Sequence, residues 1–260
     1  MNWLLLRGLG REQRHWGDFP ALLQQRSGGQ VICLDLPGTG TEYRRVAPAT
    51  VPANVKDLRG RWRALARAGG DWSIVGLSLG GMLALQWLYQ YPQDFISGTV
   101  INSSAATLSP SRQRLQPRAK LKLIRAILTS APYPREQQIL ALTSNRHADH
   151  YHIAATWAGY AQDAPLSGRN LLRQLYAAAR FRPPAQLTRP LLVLCSSADR
   201  LVNCNCSAAI ARFYRADFKR HQLAGHDLPL DDPDWVISHI LEFTHNRVRV
   251  AREQQPPRPL

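Results

Sequence analysis

Residues 73–87, SIVGLSLGGMLALQW, constrain the fold more than any other part of the chain. Ile74 and Val75 belong to a β-friendly run that stops at Gly76. From Gly80 onward the small and apolar residues follow one another as they do in a buried helix. Between the two halves stands one serine, Ser78, with a glycine two residues before it and another two after. Glycines so placed let the backbone turn tightly, so that Ser78 stands at a helix N-terminus above the edge of a sheet. There the helix dipole and free N–H groups favour developing negative charge.

The surrounding sequence supplies a sheet for that turn. WLLLRGL, QVICLDL, DWSIVGLS and FISGTVINSSA read as strands, and VPANVKDLRGRWRALARAG and GGMLALQWLYQYP as helices between them, the first closing on Gly69 and Gly70. Uninterrupted apolar strands alternating with helices predict a parallel sheet covered on both faces. From about residue 106 to 182 the rhythm breaks. RQRLQPRAKLKLIRAILTS, PREQQILALTS, YHIAATWAGYAQ and NLLRQLYAAARF all read as helices, a helical insertion. The strands resume with LLVLCSS, and a helix (SAAIARFYR), a strand (DFKRHQLAG) and a last helix (PDWVISHILEFTHN) complete the pattern. The expected division is a core of residues 1–105 and 183–249, an insertion over 106–182, and a disordered basic tail over 250–260.

A chain of 260 residues can bury one full core. No run approaches the 18 apolar residues of a membrane span, and MNWLLLRGLG reads directly as a strand without a basic leader, so a soluble cytoplasmic protein is expected. Cys33 and Cys195 lie in apolar strand-like runs, and Cys204 and Cys206 lack the paired spacing of a zinc site, so no disulfide framework is implied. The net charge of +15 is concentrated in the insertion: residues 106–188 hold twelve Lys and Arg against three Asp and Glu. Such a region attracts anionic partners or simply keeps a surface solvated. No nucleic-acid motif and no regular aromatic interleaving accompany it, so nucleic acid is not the expected partner.

Gly76-Leu77-Ser78-Leu79-Gly80 fits the G-x-S-x-G pattern of a nucleophile turn. The phosphate-cradle alternative is weaker, because no Gly-Lys-Ser/Thr and no G-x-G-x-x-G is present there. Two strands downstream end on chemistry that a serine nucleophile needs. LLVLCSS leads into ADRLV, which puts Asp199 just past a strand's carboxyl end, and FKRHQLAG leads into HDLPLDDP, which does the same for His226. Ser78, Asp199 and His226 thus reach one sheet edge, where such folds place their sites. In that set His226 takes the proton of Ser78, and Asp199 fixes the imidazole tautomer. Asp227 is too close in sequence to fold back on His226, and Asp231, Asp232 and Asp234 read as N-terminal dressing of the last helix.

Taken together, LLLRGLG, DLPGTG, GLSLGG, SSADRLV and AGHDLPLDDP resemble, in order and spacing, the α/β-hydrolase superfamily with a helical lid, close to small bacterial carboxylesterases. The resemblance implies an α/β-hydrolase fold, a mostly parallel sheet with helices on both faces and a helical lid. It also implies a serine hydrolase acting on esters without a metal or organic cofactor. An aspartate nucleophile, as in the dehalogenase and epoxide hydrolase branches, is excluded because Ser78 occupies the turn. The family's oxyanion donors are backbone amides, which fall here on Leu9 and Leu79. The sequence departs from the family at Arg7, where a structural His is usual. Arg7 must then find other hydrogen-bond partners or face the pocket and grip an anionic group.

DLPGTG reads as a turn made by its glycines. His147, His150 and His152 suggest a metal site only weakly, since His152 leaves the helix face shared by the other two. Trp157, Tyr160 and Tyr151 are aromatics that either cover the pocket or pack the lid to the core. The chain is also similar to the carboxylesterases of biotin synthesis that act on a pimeloyl methyl ester held by acyl carrier protein. That likeness implies an alternative, an esterase or thioesterase acting on a carrier-linked substrate, its acidic carrier met by Arg112, Arg114, Arg118, Lys120, Lys122 and Arg125. A hydrolase fold without turnover, or a nucleic-acid binder, is the alternative of another class.

Overall fold

The computed structural model describes residues 1–66 and 69–253, with side chains up to residue 246. Among the described residues six strands form one parallel sheet: β1 (Asn2–Leu6), β2 (Val31–Leu34), β3 (Trp72–Leu77), β4 (Ser97–Ile101), β5 (Leu191–Ser196) and β6 (Asp217–His221). Their spatial order is β2-β1-β3-β4-β5-β6. The register pairs Leu6 with Gly76, Leu77 with Ile101 and Ser196 with His221, so the carboxyl ends share one edge. The chain order reverses between β1 and β3, and the crevice outside such a switch is where open α/β sheets take their ligands.

Alternate strand residues serve opposite faces, as the pleat requires. Leu4, Leu6, Ile74, Val100 and Val193 face α2 (Val51–Leu65), α3 (Leu79–Gln90) and α9 (Cys204–Tyr214) in one apolar cluster. Trp3, Leu5, Val75, Ile101 and Leu194 face α1 (Phe19–Ser27) and α11 (Pro233–Glu253) in the other. Both sheet faces are therefore covered, and nearly every residue of β3, β4 and β5 is inaccessible.

Between β4 and β5 the chain is helical: α4 (Ser111–Arg114), α5 (Pro117–Leu128), α6 (Pro132–Thr143), α7 (Tyr151–Asp163) and α8 (Gly168–Arg180). The expected first helix of this segment is broken in two. Gln116, before Pro117, is extended, because proline excludes the helical region for its predecessor while suiting a first helical turn itself. Helix α1 was not anticipated, although Pro20 near its start and Gly28, left-handed at φ 67°, mark both its ends. Helix α2 stops at Leu65, ahead of the glycines expected to close it. Helix α11, preceded by the short α10 (Leu228–Asp231), runs to Glu253, so residues 250–253 of the expected disordered tail are helical; 254–260 lie outside the described residues.

Candidate active site

β3 ends at Leu77, and Ser78 turns the chain into α3 with φ 58° and ψ −114°. A non-glycine residue there carries about 1–3 kcal/mol of backbone strain, so the surroundings must hold it. The Ser78 amide donates to the Ile101 carbonyl at 2.8 Å, and the Ser103 hydroxyl donates to the Ser78 carbonyl at 2.8 Å. The flanking glycines are steric necessities. A Cβ on Gly76 would lie 2.1 Å from the Gly80 carbonyl oxygen, and one on Gly80 would lie 2.1 Å from that of Leu6. α3 therefore starts hard against the end of β1. The loop after β1 also crowds the serine: a Cβ on Gly8 would be 3.2 Å from Ser78 Cβ and 3.7 Å from its Oγ. Leu79 is the first residue of α3, where helix amides have no partner in the helix ladder.

The loops after β5 and β6 bring Asp199 and His226 together. Asp199 Oδ2 lies 2.7 Å from His226 Nδ1, both side chains being buried. Asp199 Oδ1 accepts from the amides of Leu201 and Val202 at 2.7 and 2.9 Å, which fixes the carboxylate's orientation. Asn102, just past β4 at φ 46°, donates to the His226 carbonyl at 2.8 Å and accepts from the Ser196 amide at 2.8 Å. One buried amide thus ties the histidine loop to two strand ends. Asp227, one residue further, turns to Arg7 instead, with oxygen-to-nitrogen distances of 2.5 and 3.1 Å.

Ser78 and His226 line one cavity of about 290 Å³, together with Gly8 and Leu9 from the β1 loop. Leu123 and Ile127 of α5, Ile139 of α6, Tyr160 of α7 and Leu171 of α8 form its far walls. Each charged side chain of its lining has an ion-pair partner: Arg7 pairs with Asp227, Arg11 and Arg135 share Glu136 at 2.6 and 3.3 Å, and Glu12 pairs with Arg14 outside the lining. His15 also lines it and is held neutral, because burial and then the nearby Arg11 and Arg7 push its imidazole well below the usual 6.5.

Residues 3–239 match the alpha/beta hydrolase family. The chain belongs to that family. Its relatives include a protein of Yersinia enterocolitica named "Putative carbamate hydrolase RutD", 30% identical over 92% of this chain and 86% of that protein. The protein of the same name from Shigella flexneri is 27% identical over 94% of this chain and 92% of its own. Among solved structures, a thermophilic esterase from Thermogutta terrifontis superposes with a TM-score of 0.69 at 21% identity, covering 95% of this chain and 90% of that one. The esterase RhEst1 from a Rhodococcus species gives 0.71 at 16% identity, over 94% and 90%.

In this hydrolase the structure separates alternatives left open by the sequence for some side chains and places others elsewhere than expected. Arg7 lines the cavity but is not a free cation: Asp227 binds it two-pronged and Trp16 lies 4.8 Å under its guanidinium. Tyr160 lines the cavity, whereas Trp157 is buried behind that wall against Leu140 and Ala154, with the Arg11 guanidinium 4.3 Å over its ring. Tyr151 is exposed. Of the six basic residues assigned to a partner, Arg114 is structural. It donates to the carbonyls of Ala178 and Ala179 at 2.6 and 2.9 Å, and burial lowers its basicity. Arg112, Arg118, Lys120, Lys122 and Arg125 are exposed. Asp231 is no helix dressing: buried, it accepts from the Ser144 hydroxyl and from the amides of Asn145 and Gly225. Asp232 does cap α11, through the Trp235 amide.

His147 and His150 stack edge to face while His152 packs on Tyr151, and among the described residues no group of three His, Cys, Asp or Glu is placed to hold a metal ion. The sequence reading missed Asn102, Ser103, Arg11 and His15. For Asn102 the signal was an asparagine at the carboxyl end of a buried strand, a residue that tolerates positive φ. For the other three no local pattern marks the role.

Proposed function

We propose that this member of the alpha/beta hydrolase family is a serine hydrolase that cleaves a carboxylic ester by acyl transfer. Ser78 is the nucleophile, His226 the base and Asp199 its orienting acid. The observation that carries the reading is that Ser78, on a strained turn, and His226, held by Asp199, wall the same cavity. Since Nδ1 of His226 faces Asp199, Nε2 is the nitrogen left to take the Ser78 proton as Oγ attacks the carbonyl. The amides of Leu9 and Leu79 hold the resulting oxyanion. The tetrahedral species then expels the alcohol, which leaves with the proton from His226. Water, deprotonated by His226, attacks the acyl-enzyme, releases the acid and returns the proton to Ser78.

In this reading residues 106–182 act as a lid over a core of 1–105 and 183–249, and apolar Leu123, Ile127, Ile139 and Leu171 receive the acyl or alcohol chain. Because each charge of the lining already has a partner, the cavity favours a substrate that is polar but uncharged. A carbamate is a second substrate class, favoured by the 30% identity to the Yersinia protein, and the same attack serves it. The test is a panel of p-nitrophenyl esters and carbamates with wild type and Ser78→Ala. Turnover of esters that disappears in the variant supports the proposal. Carbamate turnover alone replaces the substrate class, and equal turnover by Ser78→Ala overturns the mechanism.

A further inference from the structure

We infer that α5 is a docking helix for the surface of an anionic phospholipid bilayer. Leu121, Ile124 and Leu128 recur at helical spacing and form one outward ridge, 72%, 44% and 78% exposed. The ridge lies opposite the packing face of α5, where Ala119 and Ala126 are each 1% exposed. A row of large apolar residues facing water on the far side of a packed helix has no role in the fold and marks an interaction surface.

The charges around the ridge select the occupant. Successive residues of a helix are rotated by about 100°. Lys120 therefore flanks the ridge on one side, and Arg118 and Arg125 on the other, with Lys122 beyond. All four are exposed, and residues 111–134 contain no Asp or Glu. An apolar strip bordered by lysine and arginine is the pattern of a helix lying in a headgroup layer, where leucines enter the acyl boundary and cations meet lipid phosphates. An acidic protein partner would be met by charge, whereas the centre of this face is leucine and Arg114, counted toward such a partner, is committed to backbone carbonyls.

Helix α8 carries a similar combination on its own exposed side. Leu172 and Tyr176, one turn apart, are 67% and 52% exposed, with Arg169 and Arg180 also exposed. Both helices also line the cavity, α5 through Leu123 and through Ile127, itself 41% exposed, and α8 through Leu171. Docking would bring the cavity wall to the interface.

The test is co-sedimentation of the full chain with vesicles of phosphatidylcholine, alone or mixed with phosphatidylglycerol. It reads binding rather than turnover, so it stands or falls apart from the proposed chemistry. Wild type is expected to sediment with the anionic vesicles and to be released by high salt. Leu121→Ser with Leu128→Ser, which keeps every charge, is expected to bind about tenfold more weakly or worse. Lys120→Ser with Arg125→Ser is expected to lose about fivefold for each charge. Circular dichroism melting should match wild type in both variants. The inference is overturned if wild type stays in the supernatant. It is equally overturned if the leucine variant binds undiminished, since net charge alone then accounts for binding.

Discussion

Arg7 and Asp227, 220 positions apart, close a buried two-pronged ion pair next to His226. The pair ties the loop after β1, which crowds Ser78, to the loop after β6, which carries the imidazole. It gives the arginine at this unusual position the partners that loop packing demands, and it removes Arg7 as a free anion grip.

Breaking one half of this pair leaves the other charge buried alone. Arg7→Ala and Asp227→Ala should each lower unfolding free energy by about 3–5 kcal/mol. Arg7→Met combined with Asp227→Leu should recover most of that loss. Urea denaturation of the three variants measures it; additive losses in the double variant would show that the two groups do not act as a pair.

Asp199→Asn should lower kcat by about three to four orders of magnitude while changing KM little. The amide can still accept from Leu201 and Val202 through its oxygen, but its NH₂ then faces Nδ1 of His226 and forces the proton onto Nε2. Steady-state kinetics on the best ester of the panel checks this, and a folded variant with near wild-type kcat would remove Asp199 from its role.

Burial holds His15 neutral in the folded protein, with a pKa below its value of 6.5 in the unfolded chain. Below that pH the unfolded state takes up a proton that the folded state refuses, so the stability His15 contributes is present above pH 6.5 and is lost as pH falls. The slope approaches about 1.4 kcal/mol per pH unit. Denaturation midpoints measured downward from neutral pH should fall for wild type and stay flatter for His15→Gln. The series stops short of the carboxylate range, where Glu12, raised chiefly by its burial, adds a slope of opposite sign.

Two glycines in helices should respond oppositely to alanine. Gly80→Ala drives a Cβ into the Leu6 carbonyl and should cost about 3 kcal/mol, with activity lost as α3 shifts. Gly60, exposed within α2 with open space at its Cβ position, should gain about 0.5–1 kcal/mol on the same change. Melting curves of the two variants decide it.

The parallel sheet and the turn at Ser78 were legible because both rest on local pattern: apolar runs alternating with helices, and glycines where backbone meets backbone. Asp199 and His226 were legible because each follows a strand whose carboxyl end the topology fixes. The partner of Arg7 was not, since a contact spanning 220 positions leaves no periodic trace. Nor was the separation of Tyr160 from Trp157, two aromatics of one helix, of which one lines the cavity and the other packs behind it. The basic run 112–125 read as one charged surface, yet Arg114 turns inward to cap α8 carbonyls, Leu123 lines the cavity and Leu121 turns outward. Side-chain direction on a short helix depends on what packs beneath it, and α6, its packing partner, is remote from any motif.

The account rests on Ser78 being the reactive group of the cavity. Intact-mass spectrometry after exposure to a fluorophosphonate probe tests it most directly. The expected result is one adduct on wild type, mapped to the peptide holding Ser78, and none on Ser78→Ala. An unmodified wild type, or an adduct that survives in Ser78→Ala, would contradict it.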